Sequence, residues 1–243
     1  MKHIKSYKIF ESAEPNFPTT REEVIEVCEK YKIEKYSIND DLSIDVDGDV
    51  YLDSQSLEHL PLKFNYVSGV FYCSYNKLKS LEGSPKTING RFSCSNNELK
   101  TLKGSPQTVG GDFRCYSNEL KSLEGSPRTI NGRFSCSNNE LKTLKGSPQT
   151  IGGSFYCADN ELRDLEYFPE VDGSTNIEGN TVYHLVHTFI KKADSFMIED
   201  FVDYEIVRNG NTVMLDRLQT FIRDNDLKMP NLKEIKKHYK IIE

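Results

Sequence analysis

Residues 71–91 read FYCSYNKLKSLEGSPKTINGR, residues 92–112 FSCSNNELKTLKGSPQTVGGD, residues 113–133 FRCYSNELKSLEGSPRTINGR and residues 134–154 FSCSNNELKTLKGSPQTIGGS. Four successive copies of a 21-residue unit specify a solenoid, because each unit is one coil that can bury its apolar side only against its neighbours. The copies beginning at Phe92 and Phe134 differ at only two positions, Val109 against Ile151 and Asp112 against Ser154, and match their immediate neighbours less well. The duplicated unit is therefore read as 42 residues, two coils at once.

Weaker copies lie on either side. Residues 50–70 keep Leu57, Leu60, Val67 and Gly69 in phase but carry Gln55 where the others have asparagine. Residues 155–174 are one residue short and lose the Gly-Ser-Pro tripeptide, and a partial copy follows with Ile177, Asn180, Val182 and Leu185. Upstream, Val46 and Gly48 fall at matching offsets. Degenerate outer copies are characteristic of terminal repeats. The chain thus divides into a flexible leader (1–18), an N-terminal helical cap with the first strand (19–49), a solenoid of about six repeats plus a partial one (50–181), and a mostly helical C-terminal cap (182–243).

Within the unit, Phe71, Phe92, Phe113, Phe134 and Phe155 each stand two residues before a cysteine, in an F-x-C pattern that predicts a short strand with one buried face. The leucine columns beginning at Leu78 and Leu81 fill the core, and Ile88, Val109, Ile130 and Ile151 close it. Asn76, Asn97, Asn118, Asn139 and Asn160 follow the strand, where an amide can donate to and accept from backbone groups of the next coil.

These columns, L-x-x-L followed by F-x-C-x-x-N-x-L, resemble a leucine-rich repeat with phenylalanine and cysteine in place of two leucines. The short period and the proline after the second leucine resemble the compact bacterial subtype. The fuller pattern L-x-G-x-P-x-x-[IV]-x-G-x-F-x-C-x-x-N is similar to repeats of uncharacterised proteins of large tailed phages. One departure is the I-x-G-x-F segment, a residue longer than usual, whose Gly90, Gly111, Gly132 and Gly153 suggest a bulge or close backbone approach. The resemblance covers a little over half the chain and implies a solenoid with a parallel β-sheet on its concave face. It implies no activity, since such folds host many functions.

Five of six cysteines form one column, and no C-x-x-C occurs. In-register thiols point the same way, so pairing would distort the stack, and buried free cysteine is expected. That favours a reducing compartment. No apolar segment of signal-peptide or membrane length is present, so the expected location is cytoplasmic, meaning host cytoplasm or virion interior if the chain is phage-encoded.

The net charge of −6 hides a partition: residues 1–49 carry seven basic and twelve acidic side chains, residues 71–154 twelve basic and six acidic. Much of the basic excess is a lysine column (Lys79, Lys100, Lys121, Lys142) beside a glutamate column (Glu98, Glu119, Glu140), read as a self-neutralising solvated flank.

In a leucine-rich repeat the outward strand residues line the concave surface. The resemblance therefore assigns partner binding to Tyr51, Tyr72, Ser93, Arg114, Ser135 and Tyr156, with Arg91, Asp112 and Arg133 before the strand and Tyr116 after it. These positions vary between copies that are otherwise near-identical, and tyrosine, arginine and serine suit binding surfaces. The competing reading is that they are merely exposed and unconstrained. The expected partner is another protein, bound by a monomer without a membrane. Single-stranded nucleic acid, stacking on tyrosine beside arginine, is a weaker alternative for an acidic chain with no recognised nucleic-acid module.

At the ends, residues 19–31 read as a helix capped by Thr19 or Thr20 with Val24, Ile25 and Cys28 as its apolar stripe, and within the mostly helical C-terminal cap Asn209-Gly210 offers a hairpin turn as the alternative. Asp45, Asp47 and Asp49 resemble part of a calcium loop but lack its spacing and terminal glutamate. His184 and His187 share a helix face without an evident third ligand, so no metal or cofactor is expected. No constellation of nucleophile, base and metal ligands suggests an enzyme. The N-terminus MKHIKSYKIFE resembles the capsid-targeting peptides of large myophages, with Ile9 and Glu11 marking a cleavage site; a disordered leader is the alternative.

Overall fold

The computed structural model describes residues 16–187 and 195–243. Ile9 and Glu11, and with them the targeting reading, lie outside the described residues.

The repeat folds into a β-solenoid whose coils each contribute a strand to two parallel sheets. The phenylalanine sheet has seven strands: β3 (Val50–Tyr51), β5 (Phe71–Tyr72), β7 (Phe92–Ser93), β9 (Phe113–Arg114), β11 (Phe134–Ser135), β13 (Phe155–Tyr156) and β15 (Thr175–Asn176). The isoleucine sheet has eight: β1 (Tyr36–Ile38), β2 (Ile44–Val46), β4 (Phe64–Val67), β6 (Thr87–Ile88), β8 (Thr108–Val109), β10 (Thr129–Ile130), β12 (Thr150–Ile151) and β14 (Glu170–Val171). The isoleucine-valine column therefore builds a second sheet, beyond the one sheet the sequence suggested. Every pairing along the stack is parallel except β1 with β2, which is antiparallel. In the phenylalanine sheet Phe71 faces Phe92, Phe92 faces Phe113 and so on without slippage, so each column of the repeat is a straight row.

The core lies between the sheets. All five phenylalanines and their five partner cysteines are fully buried, as are the leucine columns. The phenylalanine rings meet from coil to coil at centroid separations of 5.9, 5.0, 5.6 and 5.7 Å, stacked in the first and last pairs, tilted in the second and edge to face in the third. All six cysteines are free thiols, and desolvation drives the thiols of Cys73, Cys94, Cys115 and Cys136 well above their ordinary range.

The asparagines bridge coils as expected in kind, but to the preceding coil rather than the next. Asn118 Oδ1 accepts from Leu99 N (3.0 Å), and its Nδ2 donates to Cys94 O (3.1 Å) and, within its own coil, to Cys115 O (3.1 Å). Gln55 explains itself on this pattern: in the first full coil there is no equivalent neighbour behind it, and its amide turns instead to Asp53 O. The residue before each asparagine is left-handed, with φ of 56° at Tyr75, 55° at Asn96, 55° at Ser117, 54° at Asn138 and 53° at Asp159.

Two glycine columns have different causes. Gly83 begins the Gly-Ser-Pro turn at φ +92°, a conformation L side chains rarely adopt. Gly90 has ordinary φ, but a Cβ there would sit 2.4 Å from Gly69 O, so the glycine of the long insert marks close approach of successive coils.

Before the solenoid lies α1 (Arg21–Lys30), whose Thr20 cap accepts from Glu23 N and whose Val24 and Cys28 are buried. Ile25, assigned to the apolar stripe from sequence, is 40 % exposed and lies off the buried face. Arg21 donates to Ile38 O, which ties α1 to β1. After the solenoid come α2 (Thr181–His187), α3 (Ser195–Asp203), β16 (Val207–Arg208), β17 (Thr212–Met214), α4 (Leu215–Asp224), α5 (Leu232–Ile235) and β18 (Lys240–Ile242). The last three strands form a small sheet, with Asn209 and Gly210 at φ 53° and 61° in the turn between β16 and β17. The loop is three residues long, Asn209, Gly210 and Asn211, and its two positive φ values match the twist of a hairpin, with Asn211 N closing the turn on Arg208 O (3.3 Å). Tyr239 holds this region to the solenoid by donating to Arg163 O (2.9 Å).

Candidate interaction surface

The outward face of the phenylalanine sheet is a grid. Its central row is Tyr51, Tyr72, Ser93, Arg114, Ser135, Tyr156 and Asn176, consecutive partners in the ladder. Ladder bonds continue past the two-residue strands, as in Cys73 N to Ser93 O and Tyr75 N to Ser95 O. The rows of Arg91, Asp112 and Arg133 on one side and Tyr116 on the other are therefore part of the same flat surface. At about 4.8 Å per strand and about 3.3 Å per residue the grid spans roughly 29 by 13 Å, near 400 Å².

Within it, the side chains assigned from sequence differ in their freedom. Asp112 is turned inward to the sheet: its Oδ1 accepts from Arg133 N (3.0 Å) and its Oδ2 from Arg114 (2.8 Å), with Arg91 at 3.7 Å. Burial would raise this carboxyl, but the Arg133 amide and the two guanidinium groups outweigh it and hold it below the ordinary range. Its first role is structural, and two of the three arginines are partly neutralised by it. Ser154 does the same more weakly, accepting from Ser174 N. Ser93 is buried and shares a hydrogen bond of 2.7 Å with Ser74, so it is not an open contact residue. Arg133, by contrast, is exposed and its guanidinium has no ion pair among the described residues.

Tyr51 and Tyr72 meet edge to face at 5.8 Å, and Tyr51 is 57 % exposed. The Tyr51 hydroxyl donates to Asp49 Oδ2 (3.0 Å), which pushes the phenol upward. Tyr116, Tyr156, Arg114 and Ser135 are half-buried. Exposed aromatics that the sequence reading missed are Tyr75, at 61 %, and Tyr167. The signal for Tyr75 was there in principle: an aromatic occupies the left-handed column that asparagine, serine or aspartate fills in other coils.

The charged columns lie elsewhere. Lys100, Lys121 and Lys142 each meet a glutamate of the following coil (Glu119, Glu140, Glu161) at 3.7, 4.0 and 3.5 Å, and Glu124 meets Lys145 at 2.9 Å. These exposed pairs neutralise a flank and contribute little to stability.

The other sequence signals resolve into packing. Asp45 accepts from Asn65, Asp47 from Ser68 and Asp49 from Val70 N, one coil on in each case. His184 stacks on His238 (5.3 Å) beside His187 and Glu234 around a cavity of about 240 Å³; sequence could not pair it with a histidine 54 positions away. Among the described residues no group of three His, Cys, Asp or Glu side chains could hold a metal ion, and no helix is long and apolar enough to cross a membrane. A larger cleft, about 510 Å³, separates the last coil (Leu165, Glu166, Tyr167) from Phe201, Ile206 and Arg208.

No family model matches the chain, and neither a curated protein nor a solved structure is similar to it. The chain is a repeat protein folded as a β-solenoid of about six 21-residue coils with stacked parallel strands.

Proposed function

We propose that this chain is a non-enzymatic protein-interaction module that holds a partner on the outward face of the phenylalanine sheet. One observation carries the reading. The positions that vary between near-identical copies (Arg91 and Arg133 against Asp112; Tyr72, Arg114 and Tyr156 against serine) fall in adjacent rows of one flat surface. A grid of roughly 400 Å² is about half the area each partner contributes to a standard interface, so it suits an extended segment better than a globular face. In this reading the coils are of the short leucine-rich-repeat type seen in phage proteins, α1 and the C-terminal elements serve as caps, and the protein acts as a cytoplasmic monomer.

The test is recovery of partners by the wild-type chain against Tyr116→Ala and Arg133→Ala, with folding checked by circular dichroism. A partner recovered by wild type and lost with both variants supports the face; unchanged recovery sinks it. A second reading is favoured by the unbroken register, which makes the solenoid a stiff rod: a virion-associated spacer packaged through its N-terminus. Mass spectrometry of purified particles would then find a chain beginning at Ser12, and an intact Met1 would count against it.

A further inference from the structure

The two sheets end differently at the N-terminal side. The isoleucine sheet is closed off by the antiparallel strand β1, itself tied to α1. The phenylalanine sheet stops at β3, which pairs only with β5. In this ladder the inward residues Val50 and Leu52, and Ser54 beyond them, donate forward to Val70, Tyr72 and Ser74. The alternate residues must then point backward, as Tyr72 does in accepting from Leu52 N. Among the described residues no strand lies behind β3. Among the described residues nothing pairs with the N–H or C=O of Tyr51, the C=O of Asp49 or the N–H of Asp53.

We propose that this edge accepts a basic, extended segment of a partner protein as one more parallel strand. Unpaired, alternating backbone groups on a sheet edge are the template for strand addition, with side-chain pockets supplying selectivity. The side chains flanking the open groups are Asp49 and Asp53, two residues to either side of the exposed Tyr51. Each rests one oxygen on the next coil, Asp49 on Val70 N (2.8 Å) and Asp53 on Ser74 N (2.7 Å), and Asp49 also accepts from the Tyr51 hydroxyl. They therefore offer an incoming strand their charge rather than vacant acceptors. A strand continuing the rows would set its own outward residues over these three, so a basic, then aromatic, then basic residue at alternate positions is the matching pattern. The same carboxylates disfavour a second copy of this edge, which would bring like charges together. This inference is separate from the proposed use of the sheet's face, with which it shares only Tyr51.

The experiment titrates the isotope-labelled full chain with acetyl-Lys-Val-Tyr-Val-Lys-Ser amide while following backbone resonances by NMR. Controls are the same peptide with glutamate for lysine, and a version N-methylated at alternate residues. Strand addition predicts saturable shifts centred on Tyr51 and Asp53, slowing of Tyr51 amide exchange by at least about tenfold, and at least about tenfold weaker binding of both control peptides. Tyr51→Pro removes an N–H that bonds nothing among the described residues, so it should abolish binding while the other resonances stay in place. The double variant Tyr116→Ala/Arg133→Ala should bind the peptide as wild type does, which separates this edge from the face. Equal binding of the glutamate peptide, retained binding by Tyr51→Pro, or shifts centred on Tyr116 and Arg133 would each overturn the proposal.

Discussion

Replacing Asn118 with alanine leaves Leu99 N–H without its partner and takes one of two amide donors from each of Cys94 C=O and Cys115 C=O, which keep Asn97 Nδ2 and Asn139 Nδ2. An unsatisfied buried N–H costs about 1–3 kcal/mol, and each carbonyl that keeps one of its two donors adds less than a full hydrogen bond. We expect a net loss of about 2–3 kcal/mol, a sizeable part of the stability of a domain this size. Equilibrium urea unfolding followed by circular dichroism measures it, with the neighbouring exposed charge change Lys121→Ala as a control expected within about 0.5 kcal/mol. Asn118→Asp sharpens the test. It keeps the acceptor for Leu99 N but sets a carboxylate against two carbonyl oxygens, so the folded state should prefer it protonated. A folded-state pKa above the unfolded value means that its deficit shrinks as pH falls through that raised pKa. If Asn118→Ala costs under about 1 kcal/mol, or if Asn118→Asp is indifferent to pH, the amide ladder does not hold the coils together in the way argued here.

Gly90→Ala should destabilise by at least about 1–3 kcal/mol in the same unfolding assay, because the added methyl meets Gly69 O at 2.4 Å rather than strained φ. A thiol reagent such as DTNB at pH 8 should find almost no reactive cysteine in the native protein and all six in urea, because all six are buried. Burial also raises Cys73, Cys94, Cys115 and Cys136 well above the ordinary range and Cys28 to about 11. Asp112 sits below the ordinary carboxyl range, so its contribution is present above the unfolded pKa and disappears as pH falls below about 4; Asp112→Asn should flatten that part of the stability profile. Asp164 is shifted the other way by desolvation, so Asp164→Asn should be slightly more stable than wild type at pH 7, the advantage vanishing as pH falls.

The stacking direction and most core columns could be read from the sequence because they repeat. Phe, Cys and Leu recur at fixed offsets, and a fully buried position admits little else. The second sheet was harder to see. Its Thr-Ile pairs are two residues long, too short for alternation to show, and only the ladder reveals that Ile88 and Val109 are strand partners. The left-handed column escaped notice for the opposite reason. Tyrosine, asparagine, serine and aspartate share no composition there, and what they share is a backbone conformation near φ 55°. On the outward face, sequence placed residues in the correct row but could not see that Asp112 is spent on Arg133 N and Ser93 is covered. Variation between copies locates a surface; it does not say which side chains on it remain free.

The unbroken register has a consequence for how such a chain changes length. Because the coils from Phe71 to Phe155 meet through successive phenylalanine contacts, amide bridges and glycine approaches, a pair of coils inserted among them would join both neighbours without altering either end. Each 42-residue step would lengthen the rod by about 9.6 Å and add two rows of outward side chains. Length thus comes in fixed increments, and a protein of this kind can act as a ruler whose graduations are set by duplication rather than by point substitution.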